Sequence, residues 1–435
     1  MTDQTFTVSI GGTTMPCSRF SMTGGAFGTV GHVTITTSGT LLKMVDLDLF
    51  TLTSGSPGFV EVDIAVQQTQ QTQSQAGGYS ASPGPQSASQ RIFGGEYIRT
   101  DFDLDADTVT IHARDWAGVL VDQKRILTKI GKAVEAVLAP LAPGRVTASG
   151  ISNENQKISD IVTSICTEFG FTPVLNLSSS GRNPTVGTLY GSADQSFITV
   201  PQSLWTILNQ LARDTGYDVY VTPLKQLVFG EPGVGQATLQ LAYNVAPAEG
   251  QYPCRHTKVE HHPRRNSTFR VLVMSYDPTL AQTTLGRATY VGGNFAGQHG
   301  LSAGLATGQA AVSADKNLAA LKQSVSQIPL YTFNLDGLNA DQATLRAQTI
   351  ATDIAKRELI LTTTIDGLPS VLPTQMIHLS GDVAPAFSEP TYYVSAYDQT
   401  FTLPDPRSHH ADSGWVTKIT ALNIPTEGLA KGDEG

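Results

Sequence analysis

The sequence has few charged residues, few cysteines and no long apolar run, and each shortage excludes a class of protein. Only 15% of the 435 residues are charged, and 37 acidic residues against 28 basic ones give a net charge of −9. That balance argues against a surface that neutralises nucleic-acid phosphates or lies on anionic lipid. No stretch approaches the roughly 18 apolar residues of a membrane span, and the first residues do not resemble a signal peptide. We therefore expect a protein without a membrane anchor, made in a cytoplasm.

The three cysteines, Cys17, Cys166 and Cys254, lie far apart and show no CxxC spacing. They predict neither a disulfide framework nor a zinc knuckle. We expect them to behave as small apolar residues in the core.

Alternating apolar residues dominate both ends of the chain, and 41 glycines supply the turns between them. The first run of predicted strands covers residues 1–130. Within it, residues 67–91 lose all apolar periodicity and are rich in Gln, Ser, Gly and Pro, which predicts a long flexible loop. We predict a first antiparallel β-domain here.

The middle of the chain, residues 150–232, predicts a small α/β domain. Apolar residues recur at helical spacing before Gly170 and again between Pro201 and Gly216, and strand patterns follow both glycines. Glycine is the common residue just beyond a helix end, so each unit is predicted as helix, glycine, strand.

Strand patterns return over residues 236–385 and predict a second β-domain. One helix is predicted within it at residues 339–359, with Asn339 as its cap and Lys356 and Arg357 in its last turn. The strands of residues 386–435 complete this domain or form a peripheral one.

Two polar clusters resemble metal sites in part, but neither has the ligand pattern that such a site needs. The run from Asp101 through Asp103 and Asp105 begins like a calcium loop, but Ala106 and His112 replace the glycine and glutamate that such a loop needs. His256, Glu260, His261 and His262 do not follow zinc spacing, and on a strand His261 would point away from the other three. His409 and His410 are equally poor candidates. No metal or other cofactor is predicted.

No catalytic motif is present in the sequence. There is no GxSxG, Walker A or GxGxxG pattern, and the chain is predicted not to be an enzyme. An arbitrary pair of carboxylates placed by the fold could still cut glycans, which leaves a glycan-degrading role open.

Four short patterns occur in fixed order along the chain: DADTVTIHARD (105–115), LWTILNQLARDTGYDVYV (204–221), the turn from Gly367 to Pro373, and IHLSG followed by Tyr393-Val394. Together they resemble the hub proteins of contractile phage tails, namely the late control protein D family and the matching region of VgrG spike proteins. Thr374 departs from the family, in which glycine often follows the second proline.

The resemblance implies a mainly β chain with an α+β insert and two tail-tube-like antiparallel β-barrel domains. It implies a homotrimeric, pseudo-hexameric ring that adapts the six-fold tail tube protein to the three-fold central spike protein. Other baseplate and tape-measure components would be partners, and DNA would pass through the lumen without specific binding. The protein would belong to the virion, in the tail baseplate, after assembly in the host cytoplasm.

Within that hypothesis, we place two groups of residues at contact surfaces. Asp101, Asp103 and Asp105 are candidates for the lumen or a ring face. Gln71, Tyr79 and Arg91 are candidates for a partner-contact loop, because a long polar loop is expected to become ordered against a partner. Two alternatives remain open: the hub of a type VI-like or extracellular injection system, and a β-rich glycan-binding or glycan-degrading tail protein.

Overall fold

The computed structural model describes residues 4–26, 28–44, 60–68, 89–125, 156–177, 183–185, 202–231, 233, 236–248, 250–262, 269–277, 282–290, 305–306, 329–335, 338–368, 371–388, 391–403 and 414–423. The strands are β1 (Gln4–Ile10), β2 (Thr13–Met15), β3 (Arg19–Gly25), β4 (His32–Ser38), β5 (Glu61–Gln68), β6 (Ser89–Asp103), β7 (Thr108–Asp115), β8 (Lys124–Arg125), β9 (Thr172–Asn176), β10 (Gln202–Ser203), β11 (Asp218–Val221), β12 (Gln226–Gly230), β13 (Leu239–Tyr243), β14 (Gln251–Pro253), β15 (Arg255–His261), β16 (Phe269–Asp277), β17 (Gln282–Tyr290), β18 (Leu305–Ala306), β19 (Leu330–Asn334), β20 (Leu359–Asp366), β21 (Met376–Gly381), β22 (Tyr392–Thr402) and β23 (Gly414–Asn423). The helices are α1 (Gly39–Met44), α2 (Ala117–Asp122), α3 (Ile158–Phe169), α4 (Leu204–Thr215), α5 (Ala340–Ala355) and α6 (Pro385–Ser388). The fold is mainly β, as predicted. No described helix is long and apolar enough to cross a membrane.

The amino-terminal strands form one antiparallel run in the order β3, β4, β7, β6, β5, β1, β2. β6 is long enough to pair with β5 through its first half and with β7 through its second half. The register shifts between Tyr97 and Arg99, which marks a bulge within the pairing of β6 with β7. The alternating residues of these strands bury their apolar sides in one core.

The carboxy-terminal strands are connected in a closed circuit. β15 pairs with β20, β20 with β23, β23 with β22, β22 with β21, β21 with β13, and β13 with β14. β14 then leads back to β15 along the chain, with only Cys254 between them. Two of these pairings, β13 with β14 and β13 with β21, are parallel and differ from the predicted antiparallel domain. A long excursion of the chain separates β21 from β13, and such a connection permits parallel pairing where a tight hairpin does not.

A single strand joins the two β blocks. β22 pairs with β23 and β21 of its own block and also, from Ala396 to Thr402, with β3 of the amino-terminal block. The result is one 14-stranded sheet, and residues of both blocks share one apolar core.

The predicted α/β insert is present as a three-stranded sheet, β11, β12, β9, packed with α3 and α4. Both predicted end glycines are confirmed: Gly170 and Gly216 follow their helices with φ of 67° and 77°. α4 begins after Ser203, whose hydroxyl accepts a hydrogen bond from the Thr206 amide. α2 packs into the same core, so the insert also recruits residues from the end of the first β block.

A second small unit lies between β15 and β20 in the chain. Its four-stranded sheet, β18, β17, β16, β19, packs against α5 through alanines spaced by four residues. Small side chains allow this close approach, and a Cβ on Gly286 of β17 would collide with the backbone of Ala343. The alanines are Ala343, Ala347, Ala351 and Ala355.

α5 begins where the sequence predicts but ends earlier than predicted. Asn339 caps the helix, because its side chain accepts the Gln342 amide while the Gln342 side chain accepts the Asn339 amide. The predicted carboxy-terminal end was wrong: the helix stops at Ala355, and Lys356 and Arg357 lie beyond it. Leu359 is instead the fully buried first residue of β20, and burial of this side chain outweighs further helix.

Candidate assembly surfaces

The predicted acidic run lies at the end of the hairpin that joins β6 and β7, where every residue from 101 to 107 is exposed. Asp101 contacts His112 Nε2 at 3.0 Å and an Arg99 guanidinium nitrogen at 3.4 Å. Asp103 accepts hydrogen bonds from the amides of Asp105 and Ala106 and so closes the turn. The carboxylates of Asp101 and Asp103 therefore make different contacts, and the three aspartates do not form one common site.

The same hairpin exposes apolar side chains. Leu104 is 89% exposed, and Ile98 and Phe102 are each more than two-fifths exposed. Asp107, in the left-handed region at φ 51°, accepts a hydrogen bond from the Thr40 amide and anchors the hairpin to α1. An apolar tip surrounded by carboxylates is unusual for a surface that faces water alone.

The predicted partner-contact loop can be followed at only one of its three residues. Gln71 and Tyr79 lie outside the described residues. Arg91 lies in β6 and contacts Glu61 at 3.3 Å and Asp63 at 3.1 Å across the sheet. Burial raises the pKa of Asp63 to about 6, with Glu61 adding to the rise and Arg91 opposing it.

His261 and the adjacent His262 point to different carboxylates: His262 contacts Glu260 at 3.7 Å, whereas His261 reaches Glu358 at 3.5 Å. The regular strand predicted through His256 is interrupted, because His256 has a φ of 51° and lies at a shift in the register of β15. His409 and His410 lie outside the described residues. In the part of the chain that is described, no group of three or more His, Cys, Asp or Glu could hold a metal ion.

The cysteines are free. Cys166 is fully buried in the insert core, and burial raises its pKa to about 11. Cys17 and Cys254 are partly buried against the large core of the β blocks. Packing is their observed role.

Sequence reasoning missed a set of buried carboxylates at the joint between the insert and the rest of the chain. Asp115 is the last residue of β7, and its carboxylate accepts hydrogen bonds from the amides of Gly31 and Ala117, at 2.7 and 2.9 Å. Burial raises its pKa to about 7 despite these bonds. Near it, Arg114 forms ion pairs with Glu96 and Asp122.

A second part of this joint lies between α4, β11, α5 and β22. Asp214 of α4 pairs with Arg346 of α5, and Asp218 at the start of β11 is only 3% exposed. Burial raises the pKa of Asp218 to about 6, while Lys356 opposes the rise. The sequence feature that could have indicated this buried carboxylate is Asp218 itself, which is the first residue of the otherwise apolar strand DVYV.

Comparison with known proteins gives structural likeness without sequence likeness. No family model matches the chain, and no curated protein is significantly similar in sequence. The crystal structure of the tail protein from Neisseria meningitidis MC58 superposes with a TM-score of 0.56 at 12% identity, covering 98% of each chain. The 43 kDa tail protein of prophage MuSo2 from Shewanella oneidensis gives 0.53 at 11% identity, covering 98% of this chain and 99% of that one. This chain has the fold of these tail proteins, and the resemblance seen in its sequence is confirmed at that level.

Proposed function

We propose that this chain is the structural hub subunit of a contractile phage tail baseplate. The observation that carries the proposal is the likeness over nearly the whole length to two tail proteins, with nearly all of each neighbour also covered. A match of that extent includes the two β blocks, the insert and the small unit together. The proposed role is structural and not catalytic.

We infer a homotrimeric ring from the arrangement of the two β blocks. Each chain presents two β units side by side, joined by the pairing of β22 with β3. Three such chains around one axis present six β units, which suits a six-fold tail tube protein on one side and a three-fold central spike protein on the other. Other baseplate and tape-measure components would attach around this ring.

The proposed lumen carries DNA without binding it. Three copies multiply the net charge of −9, and carboxylates facing a channel repel phosphates. Asp101, Asp103 and Asp105 are exposed and supply such charge wherever their hairpin faces the ring axis or a ring face.

The first experiment measures the native mass of the purified chain by light scattering over a concentration series, with negative-stain images of the same peak. We expect a particle near three times 46.2 kDa with a central opening. A monomer at the highest concentration would contradict the autonomous ring. It would favour the glycan-active alternative, which a polysaccharide binding and cleavage screen of the same sample would test.

A further inference from the structure

One face of the four-stranded sheet in the small unit carries large apolar side chains that are exposed. The opposite face packs on α5 through Phe269, Val271 and Val273 of β16. Side chains alternate along a strand, so the residues between these three point away from the helix. The register places them beside matching residues of β17 and β19. We call this surface the open face; its apolar members are Leu272, Met274, Tyr276, Leu285 and Leu330.

The open face is apolar and basic. Tyr276 and Leu330 are about half exposed, at 50% and 54%, and Leu285 is 43% exposed. Arg287 is exposed and lies opposite Leu272 in the ladder, and its guanidinium forms no ion pair with any described residue. Arg270 is the other charged side chain among the described residues of this face. The described residues of this sheet face include two arginines and no acid, in a chain with a net charge of −9.

The hairpin between β6 and β7 has the opposite charge and a similar apolar content. We call residues 98–107 the acidic hairpin. Leu104 is its most exposed apolar side chain, at 89%, and the carboxylate of Asp105 beside it forms no ion pair with any described residue. A narrow apolar tip with acid beside it matches a broad apolar face with arginine beside it, in both shape and sign.

We propose that the acidic hairpin of one subunit docks on the open face of the next copy of this chain. Leu104 and Phe102 then pack on Leu285 and Met274, which lie opposite each other in β17 and β16. Asp105 meets Arg287, the next residue of β17 that points to the same face. This inference rests on the proposed ring and supplies one of its subunit contacts.

The contact explains why a ring would form in preference to a symmetric pair. The hairpin and the open face are different surfaces of one chain, so the contact is head-to-tail. Each subunit that offers a hairpin also offers an open face, and a head-to-tail contact closes into a ring when its rotation divides a full turn.

Charge reversal and charge exchange test the contact in the full-length protein. The variants are Asp105→Arg, Arg287→Glu and the double variant, and subunit association is measured by sedimentation velocity over a concentration series. Each single reversal is expected to raise the dissociation constant by about tenfold or more, because it places like charges together. The double variant is expected to recover most of the loss.

Control variants separate charge from folding. Arg255→Glu changes an exposed arginine on β15 that already pairs with Asp366, and it should leave association unchanged. Leu104→Ser removes the apolar tip without changing charge or any buried contact, and it should weaken association several-fold. Melting temperatures within about 2 °C of wild type establish that each variant is folded.

Each outcome separates this contact from the ring itself. If wild type assembles and the reversals and Leu104→Ser leave the dissociation constant within twofold, the contact is overturned and the ring stands. If wild type remains a monomer, the ring and this contact fail together. If the reversals spare the ring but abolish binding of a separately purified tail tube protein, the hairpin and the open face serve that partner and the contact between copies is overturned.

Discussion

The seam between the two β blocks and the joint between the insert and those blocks are built from different contacts. At the seam, β22 and β3 form a continuous backbone ladder from Ala396 to Thr402. Aromatic rings fill the space beneath it, with Phe6 5.2 Å from Phe20, 4.3 Å from Phe401 and 5.1 Å from Trp415 between ring centroids.

The insert joint combines the apolar packing of α2 with separate polar contacts. The Trp205 indole donates to the Gly28 carbonyl at 2.7 Å, and Arg346 pairs with Asp214. The Gln236 side chain contacts Pro373 and Thr374 at 3.3 Å and also Tyr220 of β11. A shared apolar core couples its two sides cooperatively, whereas polar contacts can be lost one at a time. The β blocks should therefore unfold together, and the insert should be able to loosen by itself.

The largest expected effect is at the seam. Phe20→Ala removes a fully buried ring opposite Phe401 and should lower the free energy of unfolding by about 3–5 kcal/mol. Hydrogen exchange should speed up in the strands of both blocks together. Phe102→Ala, at an exposed position, should change stability by less than about 0.5 kcal/mol. Loss of protection in β3 and β4 with β20 and β23 unaffected would contradict a shared core.

A smaller and more local effect is expected at the insert joint. Arg346→Met removes the counter-charge of Asp214, which is 7% exposed, and should cost about 3 kcal/mol. Hydrogen exchange should rise in α4 and α5 while β3 and β22 keep their protection. Arg255→Met is the matched control, because its pair with Asp366 is more than three-fifths exposed and should contribute less than about 1 kcal/mol. If hydrogen exchange rose equally in α4, α5, β3 and β22, the insert joint would not open independently of the β blocks.

Local chemistry explains which parts of the fold could be predicted. The helices before Gly170 and Gly216 were predicted because their apolar spacing and their terminating glycines are adjacent in sequence. The cap at Asn339 is equally local. Alternation likewise identified most of the strands.

Partners at long range could not be predicted. Alternation shows that residues 392–402 form a strand, but nothing in them specifies pairing with β3, more than 360 residues earlier. For the same reason, the sequence did not show that β16 to β19 form a sheet separate from the main one. The four-residue spacing of the alanines in α5, which pack on that sheet, was visible in the sequence.

The predicted surface residues divide in a similar way. Exposure of the aspartates followed from their density on a hairpin. The burial of Asp115, Asp214 and Asp218 depends on which elements meet at the joint, and a lone carboxylate in the sequence does not reveal that. Thr374 adopts a φ of 64°, which accounts for the glycine that the resembling hub family often places there.

The smallest effect concerns the pH dependence of the insert joint. The folded pKa of Asp218 is about 6 because of burial, whereas an unfolded aspartate titrates near about 4. Between these values the folded chain binds more protons than the unfolded chain, so stability is greatest below pH about 4 and falls as the pH rises to about 6. The fall from this group should be about 2 kcal/mol. Asp218→Asn, which does not ionise, should remove that part of the slope.

Two further measurements assign the slope to Asp218. Asp115, with a folded pKa of about 7, lies at the other part of the joint, so the slope that survives in Asp218→Asn should extend to about pH 7. Lys356→Met removes a charge that holds the pKa of Asp218 down, so it should carry the loss of stability to higher pH. Denaturant titrations at half-unit pH steps measure all three proteins. An unchanged slope in Asp218→Asn would mean that the pH dependence of the joint comes from Asp115 and not from Asp218. Ionisation of Asp218 would then not destabilise the contact between α4 and α5, which the Asp214–Arg346 pair holds.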